Sequence, residues 1–169
     1  FVRHRAEGVP VAYLVGYREF YSLRFQVTPD VLIPRPETEH LVIALLDLAR
    51  GRADASALEI ADVGTGSGII AVCAAKHLPT ARVLAIDLSK AALAVACKNA
   101  ETHGVADRLE FAEGDLFDGV PEGPRFDIIA SNPPYVASSE FERLARDVRD
   151  HEPREALLAG ERGTEVIER

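Results

Sequence analysis

The stretch Leu58-Glu59-Ile60-Ala61-Asp62-Val63-Gly64-Thr65-Gly66-Ser67-Gly68-Ile69 passes from an apolar run into a turn with glycine at every second position. Leu58 to Val63 reads as a buried strand, the glycines as a tight turn, and the alanine-rich Ile69 to His77 as a helix closed by Pro79. A second apolar run, Arg82 to Leu88, completes a βαβ unit, which makes the two strands parallel and the crossover right-handed. Working outward, Ser89 stands at the N-cap of a helix that reaches about His103 and is closed by Gly104. Leu109-Glu110-Phe111 begins a third strand that ends at Gly114-Asp115, and Phe126 to Ser131 is a fourth. Helix and strand patterns alternate throughout. The expectation is therefore an α/β domain in which strands 58–63, 82–88, 109–113 and 126–131 form one parallel sheet in spatial order 3-2-1-4.

Upstream, Arg18 to Thr28 alternates apolar and polar residues around Tyr21-Ser22 and predicts a β-hairpin. In Leu32-Ile33-Pro34-Arg35-Pro36-Glu37-Thr38-Glu39 the prolines fix an extended loop that hands over to a helix near Glu37. Leu41, Val42, Leu45, Leu46 and Leu48 give that helix its apolar face, Gly51 stops it, and residues 52–57 are linker. Downstream, Ser139-Glu140-Phe141-Glu142 has the form of a capping box opening a short helix, and Thr164 begins another. Residues 1–30 are thus expected to be the end of an N-terminal region with a hairpin linker, and residues 31–169 the main domain. The absence of an initial methionine reads as an interior start.

Composition narrows the function classes. A chain of 169 residues that is 47% hydrophobic buries one real core. Its formal net charge of −8 argues against sequence-independent nucleic-acid binding, which needs a basic face. Cys73 and Cys97 sit in alanine-rich helical patterns without neighbouring ligands and read as small hydrophobes in a reducing compartment. His4, His40, His77, His103 and His151 lack metal-ligand spacing, so no metal is expected. Neither a membrane span nor a cleavable leader is present, so the expectation is a cytoplasmic chain.

The residues that carry chemistry fall at strand ends, the edge where open α/β sheets bind ligands. Gly64-Thr65-Gly66-Ser67-Gly68 lets the backbone approach a ligand and aims helix N-terminal N–H groups at a carboxylate or phosphate. The dinucleotide fingerprint would need glycine where Ile69 stands, and no lysine follows to make a P-loop. Asp87, 19 positions past Gly68, ends the second strand and suits a bidentate grip on ribose hydroxyls. Asp115 ends the third strand and suits an adenine amino group. At the fourth, the run Ile128 to Ser131 stops at Asn132-Pro133-Pro134-Tyr135, because proline donates no ladder bond. The Asn132 side-chain oxygen and the Pro133 carbonyl are then acceptors for a planar –NH2 group, with the Tyr135 ring as a flat face.

Asp62 to Gly68, Asp87, Gly114-Asp115 and Asn132 to Tyr135 together resemble the class I S-adenosylmethionine-dependent methyltransferases, in the branch that methylates planar amide or amino nitrogens. Ala12-Tyr13-Leu14-Val15-Gly16, Arg18-Glu19-Phe20, Leu32 to Glu39 and Glu152-Pro153-x-x-Ala156-Leu157 resemble more closely the HemK/PrmC family of protein-(glutamine-N5) methyltransferases. That family acts on peptide chain release factors, and the similarity covers nearly the whole chain. The resemblance implies a Rossmann-like sheet whose last strands lie outside this sequence, and S-adenosyl-L-methionine as cofactor. By the same resemblance Gly64, Thr65, Gly66, Ser67 and Gly68 hold its methionine part, Asp87 its ribose, and Asp115 with Leu116 its adenine. Asn132, Pro133, Pro134 and Tyr135 hold the glutamine, Asn132 also bordering the cofactor. Asn132, Pro133 and Tyr135 are the catalytic positions.

Two other readings stand beside it. An N6-adenine methyltransferase acting on DNA or RNA presents the same planar donor to Asn132-Pro133-Pro134-Tyr135 and would flip the base onto Tyr135. A non-catalytic nucleotide-binding module would use the glycine turn and leave Asn132 and Tyr135 without a role. Arg35 and Glu37 are substrate-loop contacts or members of a structural ion pair.

Overall fold

A computed structural model describes residues 1–52, 57–118, 120 and 126–169. Two short helices, α1 (Val2–Ala6) and α2 (Val11–Val15), lead into the antiparallel strands β1 (Tyr17–Phe20) and β2 (Leu23–Gln26). The two-residue hairpin loop places both Tyr21 and Ser22 at positive φ, 49° and 60°, which matches the twist of the flanking strands. Helix α3 (Thr38–Arg50) follows, then β3 (Glu59–Val63), α4 (Ile69–His77), β4 (Arg82–Asp87), α5 (Lys90–Thr102), β5 (Leu109–Glu113) and β6 (Ile128–Ser131). The four strands β3 to β6 form one parallel sheet in the order β5-β4-β3-β6, which is the 3-2-1-4 order expected from the sequence. Register brings Val63 opposite Ile86 and Ser131, and Asp87 opposite Glu113, so the carboxyl ends lie side by side.

Helix α4 is buried from Ile69 to Ala75, consistent with its being apolar on every face. It packs in the main core with Phe20, Phe25, Val42, Leu45 and Leu46 from the hairpin and α3, and with Ile60, Val83 and Ala85 from the sheet. Full burial of each such aliphatic or aromatic side chain contributes roughly 1.5–3 kcal/mol. On the other face Ala61, Val63 and Ile86 form a smaller cluster with Leu84, Ala112 and Leu116. Beside it Ile129, on the outer strand of the sheet among the described residues, stays 58% exposed.

Several local expectations change. The strands at residues 58–63, 82–88 and 126–131 are each trimmed at an end, to the bounds given above. Leu48 is 64% exposed, because the buried stripe of α3 runs through Val42, Leu45, Leu46 and Ala49 instead. Gly51 does end α3, but at φ −74°, so its conformational freedom is not used. Of the expected linker, residues 53–56 lie outside the described residues. Ser139 opens no helix: Phe141 turns inward onto Val136 and Leu157 in a 3-10 turn (Phe141–Arg143), and helix α6 (Arg146–His151) starts beyond it. From Thr164 there is one hydrogen-bonded turn, Glu168 N to Thr164 O, rather than a helix. Between these pieces runs a two-stranded parallel ladder that the sequence did not announce, β7 (Val136–Ala137) with β8 (Leu158–Gly160).

Candidate functional site

The carboxyl ends of the four strands border a cavity of about 360 Å³, within the range of small-molecule sites. Gly64, Thr65, Gly66, Ser67, Asp87, Asp115, Leu116, Asn132, Pro133 and Pro134 all line it. Two expected residues do not. A Cβ built on Gly68 would meet the Ala96 Cβ at 3.0 Å, so this glycine lets α4 start close against α5. Tyr135 is 62% exposed, outside the cavity.

The glycine turn is held by carboxylates. Asp62 Oδ2 accepts from Thr65 Oγ1 at 2.7 Å and from Ala71 N at 3.0 Å, bracing the turn against the start of α4 from below. Its Oδ1 is buried without a partner among the described residues, and burial pushes the carboxyl up to about 6 despite those two bonds. Asp87 Oδ2 accepts from Gly66 N at 2.8 Å, and its Oδ1 accepts from Ser89 N at 2.9 Å. Each oxygen keeps lone pairs for a ligand. Gly64 and Gly66 sit at φ 73° and 56°, and a Cβ on either would meet nothing within 4 Å, which leaves open space along the turn. The Ser67 N–H donates to no acceptor among the described residues.

At the end of β5 the Asp115 carboxylate accepts from Arg169 at 2.9 Å. Leu116 holds φ 57°, an uncommon conformation for a leucine that turns its backbone at the cavity wall, and its N–H donates to no acceptor among the described residues. At the end of β6 the Ser131 hydroxyl donates to Val63 O at 2.8 Å, which pins the strand end. Asn132 Nδ2 then donates to Thr38 Oγ1 at 3.3 Å. Asn132 Oδ1 and the Pro133 carbonyl accept nothing among the described residues.

The segment 30–38 forms the facing wall. Arg35 ion-pairs with Glu152, whose side chain is 1% exposed and whose other oxygen accepts from Ile33 N at 3.1 Å. Tyr13 donates to Val31 O at 2.6 Å; burial, then the Glu152 carboxylate, raise its phenol above the ordinary value. Arg35 is therefore in an ion pair, and Glu37 has no recorded side-chain partner among the described residues. Cys73 is inert, its thiol pushed up to about 12 by burial.

Three residues that shape the site went unread in the sequence. Asn99 is 1% exposed in α5 and donates to Ser67 O at 2.8 Å while also bonding both backbone groups of Gln26. Its signal was an asparagine inside an alanine-rich helix, where the residue type is unfavourable without a partner. Thr38 was part of a quoted motif but carried no role. Gly163, at φ 82°, lies so close to the proline turn that a Cβ would meet Tyr135 O at 2.7 Å, and no local pattern announces that contact.

The cavity and its strand order place the chain among known proteins. It belongs to the methyltransferase small domain family, which matches residues 42–151. Among curated relatives it is 52% identical over 169 residues to the release factor glutamine methyltransferase of Rhodopirellula baltica, covering 99% of this chain and 57% of that protein. It is 45% identical over 174 residues to the one of Bacillus subtilis, covering 100% of this chain and 60% of that protein. The chain thus spans somewhat over half the length of the curated relatives it matches. The solved hMettl16 catalytic domain, crystallised with a 3'UTR hairpin, superposes with a TM-score of 0.66 at 20% identity over 90% of this chain and 56% of that one, a likeness of the Rossmann-like fold alone. Among the described residues no helix is long and apolar enough to cross a membrane, and no cluster of His, Cys, Asp and Glu could hold a metal ion.

Proposed function

We propose that this chain is the methyl-transferring domain of a release factor glutamine methyltransferase, which uses S-adenosyl-L-methionine to methylate the side-chain amide nitrogen (N5) of the glutamine in a Gly-Gly-Gln loop. The observation that carries the reading is the pair of acceptors, Asn132 Oδ1 and Pro133 O, unengaged among the described residues and bordering the strand-end cavity. The curated relatives support the choice of glutamine over adenine, and so does the net charge of −8, which gains little from a phosphate backbone. A substrate of the translation machinery puts the protein in the cytoplasm.

The residues fit the cofactor. Open space beside Gly64 and Gly66, with the Ser67 N–H that has no acceptor among the described residues, receives a carboxylate-bearing tail. Asp87 has lone pairs for two ribose hydroxyls, and Asp115 with the Leu116 N–H offers an acceptor and a donor to an adenine edge. When bound, the cofactor supplies an electrophilic methyl group on a sulfonium. The protein's own task is to make an amide nitrogen nucleophilic, which is difficult because its lone pair is delocalised. Asn132 Oδ1 and Pro133 O accept its two N–H bonds, hold it in one orientation and stabilise the positive charge that develops on nitrogen. Tyr135, exposed outside the cavity, is given no part in holding the amide. A methylated amide cation is acidic enough to lose its proton to water, so no strong base is assigned.

Labelled-methyl transfer by the full-length protein tests this, with a release factor, the same factor carrying alanine for the loop glutamine, and DNA and RNA as acceptors. Label is expected on the unaltered factor alone. Asn132→Ala should lower turnover by about 100-fold or more while cofactor affinity holds. Label in nucleic acid, or on the alanine-bearing factor, overturns the assignment.

A further inference from the structure

Asparagine carries an acceptor and a donor of nearly the same shape on one carbon, and its amide plane turns over by rotation about a single bond. Only one of the two faces serves a substrate –NH2. Rotated by half a turn, Asn132 would present its own –NH2 to the substrate's, donor against donor. The prolines that follow fix the backbone at Asn132 but do nothing to its side-chain torsion. Something outside the turn must hold that torsion.

We infer that Thr38 is a positioning residue for methyl transfer: its hydroxyl, hydrogen-bonded to Asn132 Nδ2, holds the Asn132 amide plane in line with the substrate amide, and the substrate's own N–H groups then favour the face that presents the Asn132 oxygen. The inference rests on the amide-recognition reading above. Three observations support it. Thr38 is 7% exposed and lines the same cavity, so its hydroxyl competes with little solvent for Asn132. A β-branched side chain at the first position of a helix has few rotamers, which fixes where its oxygen sits. The backbone around it is anchored from both sides: Thr38 N donates to Arg35 O at 3.1 Å, Arg35 is tied to Glu152, and Glu39 Oε1 accepts from Tyr21 N at 3.0 Å. On the opposite side the Ser131–Val63 bond holds the strand end next to Asn132. Both partners of the 3.3 Å contact are thus placed by bonds that do not involve each other.

Thr38→Val keeps the shape and removes the hydroxyl; Thr38→Ser keeps the hydroxyl. In the full-length protein, with release factor as substrate, Thr38→Val is expected to lower kcat by about 10-fold, leaving cofactor Kd and release-factor KM within about twofold of wild type. Thr38→Ser should recover most of the lost kcat. Independently of activity, the Asn132 side-chain –NH2 proton resonances should move in Thr38→Val and stay near their wild-type positions in Thr38→Ser. Wild-type kcat and unmoved resonances in Thr38→Val, beside an inactive Asn132→Ala, overturn the role of Thr38 and leave the amide-recognition reading standing. An active Asn132→Ala overturns that reading itself. Cofactor affinity that falls in step with kcat in Thr38→Val makes Thr38 a wall of the cofactor pocket, and a Thr38→Ser as impaired as Thr38→Val makes it a packing residue; either result overturns the inference.

Discussion

The glycine turn at residues 62–68 and the proline turn at residues 132–135 end neighbouring strands, yet they are held by opposite means. Asp62 bonds residues 3 and 9 positions away, and Asp87 reaches Gly66 over 21. The proline turn and its facing wall depend on contacts across 94 positions (Thr38 to Asn132), 117 (Arg35 to Glu152) and 119 (Ile33 to Glu152). One half of the site carries its supports with it; the other is assembled by distant segments. A mutation in a distant support should therefore touch the acceptor side and spare the cofactor side.

The largest test of that division is Glu152→Ala. It removes the partner of Arg35 and leaves the Ile33 N–H unsatisfied, so stability should fall by about 3 kcal/mol, the low end for a buried pair because the Arg35 side chain is 30% exposed. Denaturant unfolding measures that loss. The release-factor KM should rise while cofactor affinity stays near wild type; equal weakening of both would break the comparison.

Asp62 sharpens the other half. Burial raises its folded pKa to about 6, above the unfolded value, so its contribution to stability is fully present below about pH 4 and lost as pH rises through about 6. The loss is about 3 kcal/mol. Unfolding free energies of wild type and Asp62→Asn, compared from pH 4 to pH 7, should diverge by that slope. A constant difference would mean that Asp62 titrates as an ordinary carboxylate.

An effect confined to one ligand, with no loss of fold stability as its readout, is expected of Asp87→Ala. Each charge-assisted hydrogen bond it loses to a ribose hydroxyl weakens cofactor binding by about 1.5–3 kcal/mol. Calorimetric titration with the cofactor reads it, and unchanged affinity would remove Asp87 from the ribose site.

The same division explains what the sequence disclosed. The βαβ unit, the Ser89 cap that accepts from Ala92 N, and the carboxylate at the end of β4 are patterns within some thirty residues, and each is where the spacing put it. Asn132 and Pro133 were legible because proline forces a strand to stop. Their supports were not. Nothing near Thr38 points to an asparagine on another strand, and nothing near Gly163 points to the Tyr135 backbone. The Ser139 motif misled because a capping box competes with burial, and Phe141 gains more from packing on Val136 and Leu157 than a short polar helix would return. Leu48 misled because four of its neighbours already filled the stripe that faces the core.

The Ile33–Glu152 bond also bears on the order in which the chain organises itself. Closing a loop of 119 residues costs about 1.5 kcal/mol more chain entropy than closing the 21 between Gly66 and Asp87. The glycine turn therefore closes early, with the sheet that contains it. The wall at residues 30–38 is synthesised before Asn132, but its anchor Glu152 leaves the ribosome after both, and until it arrives Arg35 and the Ile33 N–H lack the carboxylate that holds them.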